Sequence, residues 1–403
     1  MANNIAEIFS LQGLKVTVIT TTEVTITLKA KSRRRTAECT TCGARAYRIH
    51  QYRHRTVNHG QLNDKLILVQ LTVRRFRCKA CGRTFAEALP GISRRLSTAH
   101  CLNHQLEDAA TMSIKGTALR HDKAWGSIAS LLDNIHYEIN WDKQGQRISL
   151  GLDEHSLRKK RQMVTTITNL TQSHRGLLTI LPNDRKDTIV KFLKQIPRGA
   201  QERITEICID LRGSFRAAIK EAWPQVNMVA DPFHVVQLAG RAVEEVRRVV
   251  MSASGNHAKV KRALQNPKEK LTDEEQTKLD QLWLDTAAFP SLHVAWLVKE
   301  KIRDLYKSRN RASAEKKFTL ILVYLEGVES AYLTTLRKTL VHWQPQILNH
   351  FDHGTSNGFT EGCHTKIKML KRLSYGFRNR ERYKIKMLLG FHPVSELLGT
   401  TTN

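Results

Sequence analysis

The sequence contains no apolar run of about 18 residues, the length that a membrane-spanning helix needs, so we expect no such helix. Its first residues have no basic region followed by an apolar stretch, so we expect no secretory signal. Acidic residues are also scarce. There are 37 Asp and Glu against 65 Lys and Arg, which gives a formal net charge of +28. Such an excess attracts polyanions, because each neutralised phosphate releases counterions.

A ribosomal-type or merely basic protein is the plainer interpretation of this charge. The excess, however, is spread along all 403 residues, which favours contact with nucleic acid through several domains. At about 150 residues per domain, the length predicts two to four domains, and a hydrophobic fraction of 41% is enough for sizeable cores. The seven cysteines, an odd number in a chain without a secretory signal, indicate reduced thiols and metal ligation.

Two pairs of cysteines are the clearest signal in the N-terminal region. Cys39 and Cys42 form one Cys-x-x-Cys-Gly motif, and Cys78 and Cys81 form a second. Together they offer four thiolates to one tetrahedral Zn²⁺, whose binding is expected to fold the module. Four buried or redox-active cysteines without a metal are the alternative. Alternating β-branched residues predict a hairpin over residues 14–28 and another hairpin between the two motifs.

The zinc module is dense in arginine, with tyrosine and phenylalanine interleaved. A charge run is usually only a solvated surface, but the forked donors of Arg suit phosphates and base edges, so we expect DNA contact. The candidate DNA-binding residues here are Arg33, Arg34, Arg35, Arg74 and Arg75. Near the other end of the chain, a basic run could likewise hold a phosphate backbone, although a solvated helix face is the commoner outcome. This run contains Arg378, Arg380, Arg382, Lys384 and Lys386.

Three short helices are predicted after the zinc module. Residues 98–112 have helical spacing, residues 113–120 form a second segment, and residues 125–132 form a third. Two short helices after a longer one indicate a helix-turn-helix, whose last helix lies in the major groove. Any small helical bundle gives a similar pattern.

Two apolar segments further along end on carboxylates. One ends on Asp153 and Glu154 and is followed by a basic run at 158–161, and the other ends on Asp210. A strand that ends in a solvated turn is the plainer interpretation of either alone. Between residues 148 and 231 the predicted order is three strands, then helix, strand, helix, strand, as in the RNase H-like α/β fold. The first and fourth strands are adjacent in that fold, so Asp153 and Asp210 are expected at one sheet edge.

Two carboxylates at such an edge can hold Mg²⁺, which prefers oxygen ligands and suits a phosphate substrate. Two such ions about 4 Å apart stabilise the attacking and leaving oxygens of an in-line displacement. Glu361 is a candidate third carboxylate, because it opens a predicted helix far downstream. The same helix carries four further candidate DNA-binding residues, which are Lys366, Lys368, Lys371 and Arg372. The intervening residues 235–348 are helical in character.

Four motifs in this order resemble the DDE transposases, and most closely the ISL-three family of bacterial insertion sequences. They are Gly151-Leu152-Asp153-Glu154-His155, the strand ending at Asp210, the segment at 229–236, and Asn357-Gly358-Phe359-Thr360-Glu361-Gly362. The resemblance spans nearly the whole chain. It implies an RNase H-like catalytic domain interrupted by an all-helical insertion, behind a zinc ribbon and a helix-turn-helix. Its acidic triad maps onto Asp153, Asp210 and Glu361.

The resemblance also implies a domain order and supporting residues. The expected domains are a zinc ribbon at 1–90, a helix-turn-helix at 91–140, the catalytic domain at 141–238, a helical insertion at 239–348, and catalytic C-terminal helices at 349–403. Asp231 and His234 match an Asp-x-x-His signature and are expected to support the site without being metal ligands; a satisfied, partly buried histidine is the alternative for His234. Arg212 and His364 stand where the family pattern commonly has other residues.

The hypothesis is a transposase that binds the terminal inverted repeats of its own element, cuts there, and joins the ends to target DNA. Its expected cofactors are Mg²⁺ or Mn²⁺ at the triad and Zn²⁺ at the cysteines. The resemblance implies a homodimer or larger assembly on double-stranded DNA in the bacterial cytoplasm, associated with the nucleoid. Two rivals are a zinc-dependent DNA-binding regulator with an inactive RNase H-like body and a plain nuclease such as a junction resolvase.

Overall fold

The computed structural model describes residues 6–62, 65–89, 91–92, 98–158, 162–251, 257–284 and 289–398; for residues 158 and 257–259 it describes the backbone alone. Most of the basic run at 158–161 lies outside these residues. The chain forms two compact units: Met1–Tyr137 with Met369–Asn403, and Glu138–Lys368. The boundary between the units at 368/369 falls inside the predicted C-terminal catalytic segment, 349–403. The five-domain division stays a prediction.

The first unit is built on a sheet with the strand order β1-β2-β6-β5, to which β7 adds by pairing with β6. A separate two-stranded sheet pairs β3 with β4. The predicted hairpins are present as β1 with β2 and β5 with β6. One face of the larger sheet packs an apolar core that includes Leu14, Leu28 and Val69. The strands are β1 Leu14–Thr21, β2 Thr25–Ser32, β3 Ala37–Glu38, β4 Arg45–Ala46, β5 Ile49–Leu62, β6 Lys65–Arg77 and β7 Thr84–Ala86.

Three helices of the first unit lie where the spacing predicts them, and two more come from the end of the chain. Thr98 and Ser113 cap the first two helices, because each side chain accepts a backbone N–H from the first turn. The helices are α1 Ala99–Thr111, α2 Ile114–Arg120 and α3 Trp125–Asp133, and then α15 Arg380–Leu389 and α16 Val394–Leu397.

Helix α15 is bound to α1 and α3 by two basic side chains. Lys386 is fully buried, and its Nζ donates to the carbonyl of Ala109 and, over 2.6 Å, to that of Met112. These carbonyls belong to the C-terminal end of α1, where a cation is favoured. Arg382 donates to both carboxylate oxygens of Asp133, at 2.9 and 2.6 Å. The interpretation of the C-terminal basic run as a solvated face is therefore wrong for Lys386.

The second unit contains a five-stranded sheet in the order β10-β9-β8-β11-β12. β8 to β10 run antiparallel, and β11 is parallel to both β8 and β12. The first and fourth strands of this unit, β8 and β11, are adjacent, as the predicted order requires. The strands are β8 Ile148–Arg158, β9 Gln162–Asn169, β10 Gly176–Leu181, β11 Ile204–Ile209 and β12 Asn227–Ala230.

The two faces of this sheet differ in chemistry, since successive residues of a strand point to opposite sides. In β8, Ile148, Leu150 and Leu152 join a large apolar core, whereas Gly151 and Asp153 alternate with them. The other four strands and the helices of this unit contribute the rest of that core. The helices follow in chain order. They are α4 Lys186–Gln195, α5 Arg198–Gln201, α6 Gly213–Ala222, α7 Pro232–Val250, α8 His257–Gln265, α9 Asp273–Leu284, α10 Pro290–Leu305, α11 Arg311–Tyr324 and α12 Ala331–Leu348, followed by the short α13 His350–His353.

Helix α14, Gly358–Leu373, carries the last predicted acid. Its N-terminal part lies on the polar face of the sheet, where the side chain of Thr360 is within 2.7 Å of that of Thr168 in β9. Phe359 packs against a small apolar cluster on this same side of the sheet. The polar face of the sheet is therefore the one that can hold a site.

Candidate active site

The four predicted thiolates of the first unit converge. One sulfur–sulfur distance, Cys39 to Cys81, is 3.6 Å, and so is the other, Cys42 to Cys78. All four Sγ atoms lie within 4.8 Å of one another. Backbone hydrogen bonds from Thr41 and Cys42 lower the pKa of Cys39 to about 6, which favours the thiolate that a metal needs. This Cys₄ cluster has the donor set and spacing of a structural zinc site.

Asp153 and Asp210 lie side by side on the second sheet. Leu152 and Ile209, which precede them, are paired across β8 and β11. We expected β8 to end at the carboxylates, and this is wrong: the strand continues to Arg158. Its parallel pairing with β11 stops at Leu152, and beyond that point β8 pairs with β9 alone. The carboxylate of Asp153 therefore sits where one neighbouring strand has ended.

His234 lies next to the two carboxylates, although we expected it only to support the site and not to be a metal ligand. One ligand atom from each of Asp153, Asp210 and His234 lies within 4.8 Å of the others. Its Nδ1 is 3.0 Å from Oδ2 of the buried Asp231, so this hydrogen bond holds the ring and leaves Nε2 for another partner. A carboxylate that orients a histidine in this way is the usual support of a metal-ligating imidazole.

Glu361 lines the same cavity as Asp153 and Asp210, which has a volume of about 620 Å³. Within the described part of the chain, its carboxylate is not in the group of ligand atoms that lie within 4.8 Å of one another. One stripe of helix α14 faces the cavity at a spacing of three, four and seven residues, through Glu361, His364, Thr365 and Lys368. Three predicted acids therefore share one cavity, with two of them in close contact.

A buried polar cluster fixes the start of α14. The Asn357 N–H donates to Asp231 over 2.9 Å, and its side-chain amide donates to the Leu152 carbonyl over 3.2 Å. A Cβ on Gly151 would stand 2.6 Å from Asn357 Oδ1 and 2.5 Å from Thr168 Oγ1, so only glycine allows this approach. Asp231 thereby holds both His234 and the segment that leads to Glu361.

Two residues in the cavity were noted in the sequence only as departures from a family pattern. Nδ1 of His364 is 3.6 Å from the Asp153 carboxylate. Arg212 forms ion pairs with Glu154 and, at 2.7 Å, with Asp184, and it reaches Asp210 at 4.0 Å. Both His364 and Arg212 could have been identified from the sequence. Each is a basic or titratable residue that stands in place of the usual family residue close to a predicted acid.

The electrostatics of the cavity follow from burial. Burial, together with the neighbouring Asp210, raises the pKa of Asp153 to about 7 despite the opposing effect of His234. Burial also raises the pKa of Asp210 to about 6 and that of Glu361 above its ordinary value. Burial lowers the pKa of His364 to about 4, so this imidazole is neutral at pH 7. Keeping these buried carboxylates ionised costs free energy, and a bound cation would offset that cost.

The predicted DNA-binding residues differ in availability. Arg74 is only 14% exposed and pairs with Glu87, its Nε donating over 3.0 Å, so it already has a structural partner. The side chain of Arg75 donates to Thr84. The other candidates of the first unit's N-terminal part, Arg33, Arg34 and Arg35, are exposed. On helix α14, Lys366, Lys368 and Arg372 are exposed and Lys371 is half-buried.

No helix in the described ranges combines the length and apolar character that crossing a membrane requires.

Comparison with known proteins gives matches along most of the chain. The family model described as "Transposase", of the DDE type of the ISL3 group, matches residues 150–387. A second, described as "zinc-finger of transposase IS204/IS1001/IS1096/IS1165", matches residues 35–81 and so includes all four clustered cysteines.

Individual relatives have low sequence identity to the chain but match most of its length. The chain is 24% identical to the transposase for insertion sequence element IS1001 of Bordetella parapertussis, over 91% of this chain and 92% of the relative. It is 22% identical to the transposase for IS1557 of Mycobacterium tuberculosis, over 64% of this chain and 63% of the relative. The solved Drosophila P element transposase strand transfer complex matches 74% of this chain and 92% of that chain, with a TM-score of 0.40 and 8% identity. Because the transposase model covers more than half of the sequence, the chain belongs to the ISL3 (ISL-three) family of transposases.

Proposed function

We propose that this transposase cuts DNA at the ends of an insertion sequence and joins them to target DNA, with Asp153, Asp210 and Glu361 as its acidic triad. The observation that carries the proposal is the meeting of Asp153 and Asp210, from adjacent strands, in a cavity that Glu361 also lines. In this proposal the second sheet is an RNase H-like body, and the helices between β12 and α14 are an insertion into it.

The residues of the cavity fit a divalent cation. Oδ1 of Asp210 is buried and has no hydrogen-bond partner among the described residues, so a buried oxygen ligand is left over. Asp153 supplies a second carboxylate, and His234, oriented by Asp231, is close enough to supply a nitrogen. Bound there, Mg²⁺ or Mn²⁺ would polarise a phosphodiester and lower the pKa of a coordinated water.

The other side chains of the cavity suit a DNA backbone. Arg241 and Lys368 line it and can bind phosphate oxygens flanking the reacting one, whereas Arg212 is already paired with Glu154 and Asp184. His364, neutral at pH 7, can accept or donate one hydrogen bond beside Asp153 without adding positive charge. The polar cluster around Asn357 keeps Glu361 on the same wall of the cavity as these groups.

The first unit is proposed to bind the element ends, through the zinc ribbon and through helices α1 to α3 as a helix-turn-helix. Exposed Arg33, Arg34 and Arg35 lie just before the first cysteine motif. Two copies of the chain would bring two ends together, so we propose a homodimer or larger assembly on double-stranded DNA.

The test uses duplexes containing the DNA that flanks the reading frame, with Mg²⁺ or Mn²⁺, and measures binding, cutting and joining separately. We expect Asp153→Asn, Asp210→Asn and Glu361→Gln each to lower cutting and joining by at least about 10³-fold, because each removes charge stabilisation from the transition state, while binding is retained. Asp187→Asn, which removes an exposed carboxylate on α4, is the matched control and should keep wild-type rates.

Each alternative outcome has its own meaning. Cutting without joining by the wild type indicates a plain nuclease, and binding without either indicates a regulator. Wild-type joining by Asp153→Asn would remove the triad assignment altogether.

A further inference from the structure

The larger sheet of the first unit has two unlike faces. One packs the apolar core through Leu28, Leu71 and Val57. The other is formed by the alternate residues, and among these Lys15, Lys29, Lys31, His54 and Gln70 are exposed in the described structure. We call these five residues the lysine face. Of these five, only Lys31 was noted in the sequence, among the basic residues around the zinc module, because the five come from four separate strands.

Strand pairing places members of the lysine face in a straight row across the sheet. Lys15 is paired with Lys31, Lys31 is level with Thr72, and Thr72 is paired with His54. The Thr72 hydroxyl is 3.5 Å from Nδ1 of His54, which shows that the two side chains share this face. At about 4.8 Å between strands the row is roughly 14 Å long, comparable to the width of a major groove.

A second row lies beside the first. Lys29 is level with Gln70, and Gln70 is paired with Thr56. The ammonium groups of this face are thus interleaved with amide and hydroxyl donors, which together are the groups that contact phosphate oxygens. The strands β1, β2, β5 and β6 contain no Asp or Glu at all. Carboxylates that would form ion pairs with these lysines are therefore missing from these four strands.

We propose that the lysine face binds the phosphate backbone of duplex DNA. The choice of DNA as the partner rests on the proposed function. The choice of this face rests on its positive charge, which complements the phosphates. It assigns DNA contact to residues other than Arg74, which is paired with Glu87. A sheet face with amide and hydroxyl groups between cations contacts phosphate oxygens and not base edges, so we expect binding here to be independent of sequence.

The experiment measures the dissociation constant of the full-length protein for an arbitrary-sequence duplex at a series of KCl concentrations. The variant carries Lys15→Ala, Lys29→Ala and Lys31→Ala together. Each lost phosphate contact lowers the slope of log K against log salt by about 0.9, so we expect a decrease of up to about 2.7. Zinc content and circular dichroism equal to wild type show that the first unit is folded.

The matched control removes three exposed lysines from helical segments of the second unit, by Lys268→Ala, Lys270→Ala and Lys316→Ala. It should leave the salt slope unchanged. Equal losses in both variants mean a general charge effect and overturn the proposal, and so does a wild-type slope in the first variant. A first variant that loses affinity only for an acidic polypeptide also overturns it. None of these results touches the acidic triad, which the cutting and joining assay tests.

Discussion

The two candidate metal sites of this chain are opposite in design. The four cysteines are close-packed thiols, with two sulfur–sulfur distances of 3.6 Å, and backbone N–H groups lower the pKa of Cys39 and of Cys78. The carboxylates of the second unit are buried together, and burial opposes their ionisation. One site is closed and complete in its ligands, and the other opens into a cavity of about 620 Å³. This is the difference between metal sites that hold a fold and metal sites that act on a substrate.

The contrast predicts opposite effects of ligand removal on stability. A structural site contributes its binding free energy to folding, so losing a ligand destabilises the fold. An acidic site without its cation costs free energy, so losing a carboxylate stabilises the fold at the expense of activity. The predictions below test this contrast, from the largest expected effect to the smallest.

Cys42→Ser should abolish zinc binding and unfold the zinc ribbon. Structural zinc is worth about 10–16 kcal/mol in isolated modules, and Cys42 is exposed, so its loss affects packing little. Metal analysis and thermal unfolding of the purified protein measure the effect. Cys363→Ala removes a buried cysteine of the second unit and should keep full zinc content. Equal zinc in both variants would contradict the assignment.

Gly151→Ala should destabilise the second unit by about 1–3 kcal/mol and lower joining, because its Cβ would overlap the side chains of Thr168 and Asn357. Chemical denaturation measures the first effect and the joining assay the second. Gly240→Ala is the control, because a Cβ meets nothing within 4 Å there and the residue lies inside helix α7. This control should be neutral or stabilising by up to about 1 kcal/mol. Unchanged joining by Gly151→Ala would show that the docking of α14 does not position Glu361.

Asp153→Asn should raise the stability of the metal-free protein by about 1–2 kcal/mol, because it removes a buried charge beside Asp210. Adding Mn²⁺ should then stabilise the wild type and leave the variant nearly unchanged. Thermal shift with and without Mn²⁺ measures both effects. A variant less stable than wild type in the absence of metal would mean that this site is built like the cysteine site.

Protonation of Asp153 and Asp210 should stabilise the metal-free fold as the pH falls from about 8 to about 5. His364 opposes this gain, because burial lowers its pKa to about 4 and the unfolded imidazole therefore takes up a proton first. Burial holds the pKa of Asp153 at about 7 and that of Asp210 at about 6, above the ordinary value of 3.8 for an unfolded Asp. The folded state therefore binds protons at higher pH than the unfolded state, and protonation favours folding by about 1 kcal/mol between pH 7 and 6. Denaturation of wild type and the Asp153→Asn/Asp210→Asn double variant measures this. The double variant should lack the gain that the two carboxylates contribute, and equal profiles would assign the dependence to other groups.

The local parts of this structure could be predicted from sequence, and the parts set by distant contacts could not. The thiol cluster follows from two Cys-x-x-Cys motifs, and the helices after it follow from apolar spacing and from caps at Thr98 and Ser113. The pairing of β8 with β11 followed from the order of strands and helices. The length of β8 did not, because its last residues are held by β9 alone.

The sequence does not show which basic residues are free to contact DNA and which already have partners within the protein. In the sequence, Arg74 and Lys386 cannot be distinguished from the exposed basic residues near them. In the structure, Arg74 pairs with Glu87, and Lys386 donates to carbonyls at the end of helix α1. His234 was predicted near the site, yet only its hydrogen bond to the Asp231 carboxylate shows that the ring is oriented like that of a metal ligand. In each case the deciding partner is a group whose position depends on the fold.

The anchoring of Lys386 and Arg382 has a consequence for the decay of insertion sequences in genomes. A gene copy truncated before helix α15 would still encode every candidate metal ligand, yet α1 and α3 would lose Lys386, Arg382 and the buried apolar side chains of α15, such as Tyr383 and Leu388. Because burying one such apolar side chain is worth about 1.5–3 kcal/mol, such a product should misfold in the unit proposed to bind DNA. We expect shortened copies to be inert bystanders that do not compete for element ends, and co-expression that leaves full-length transposition undiminished would bear this out.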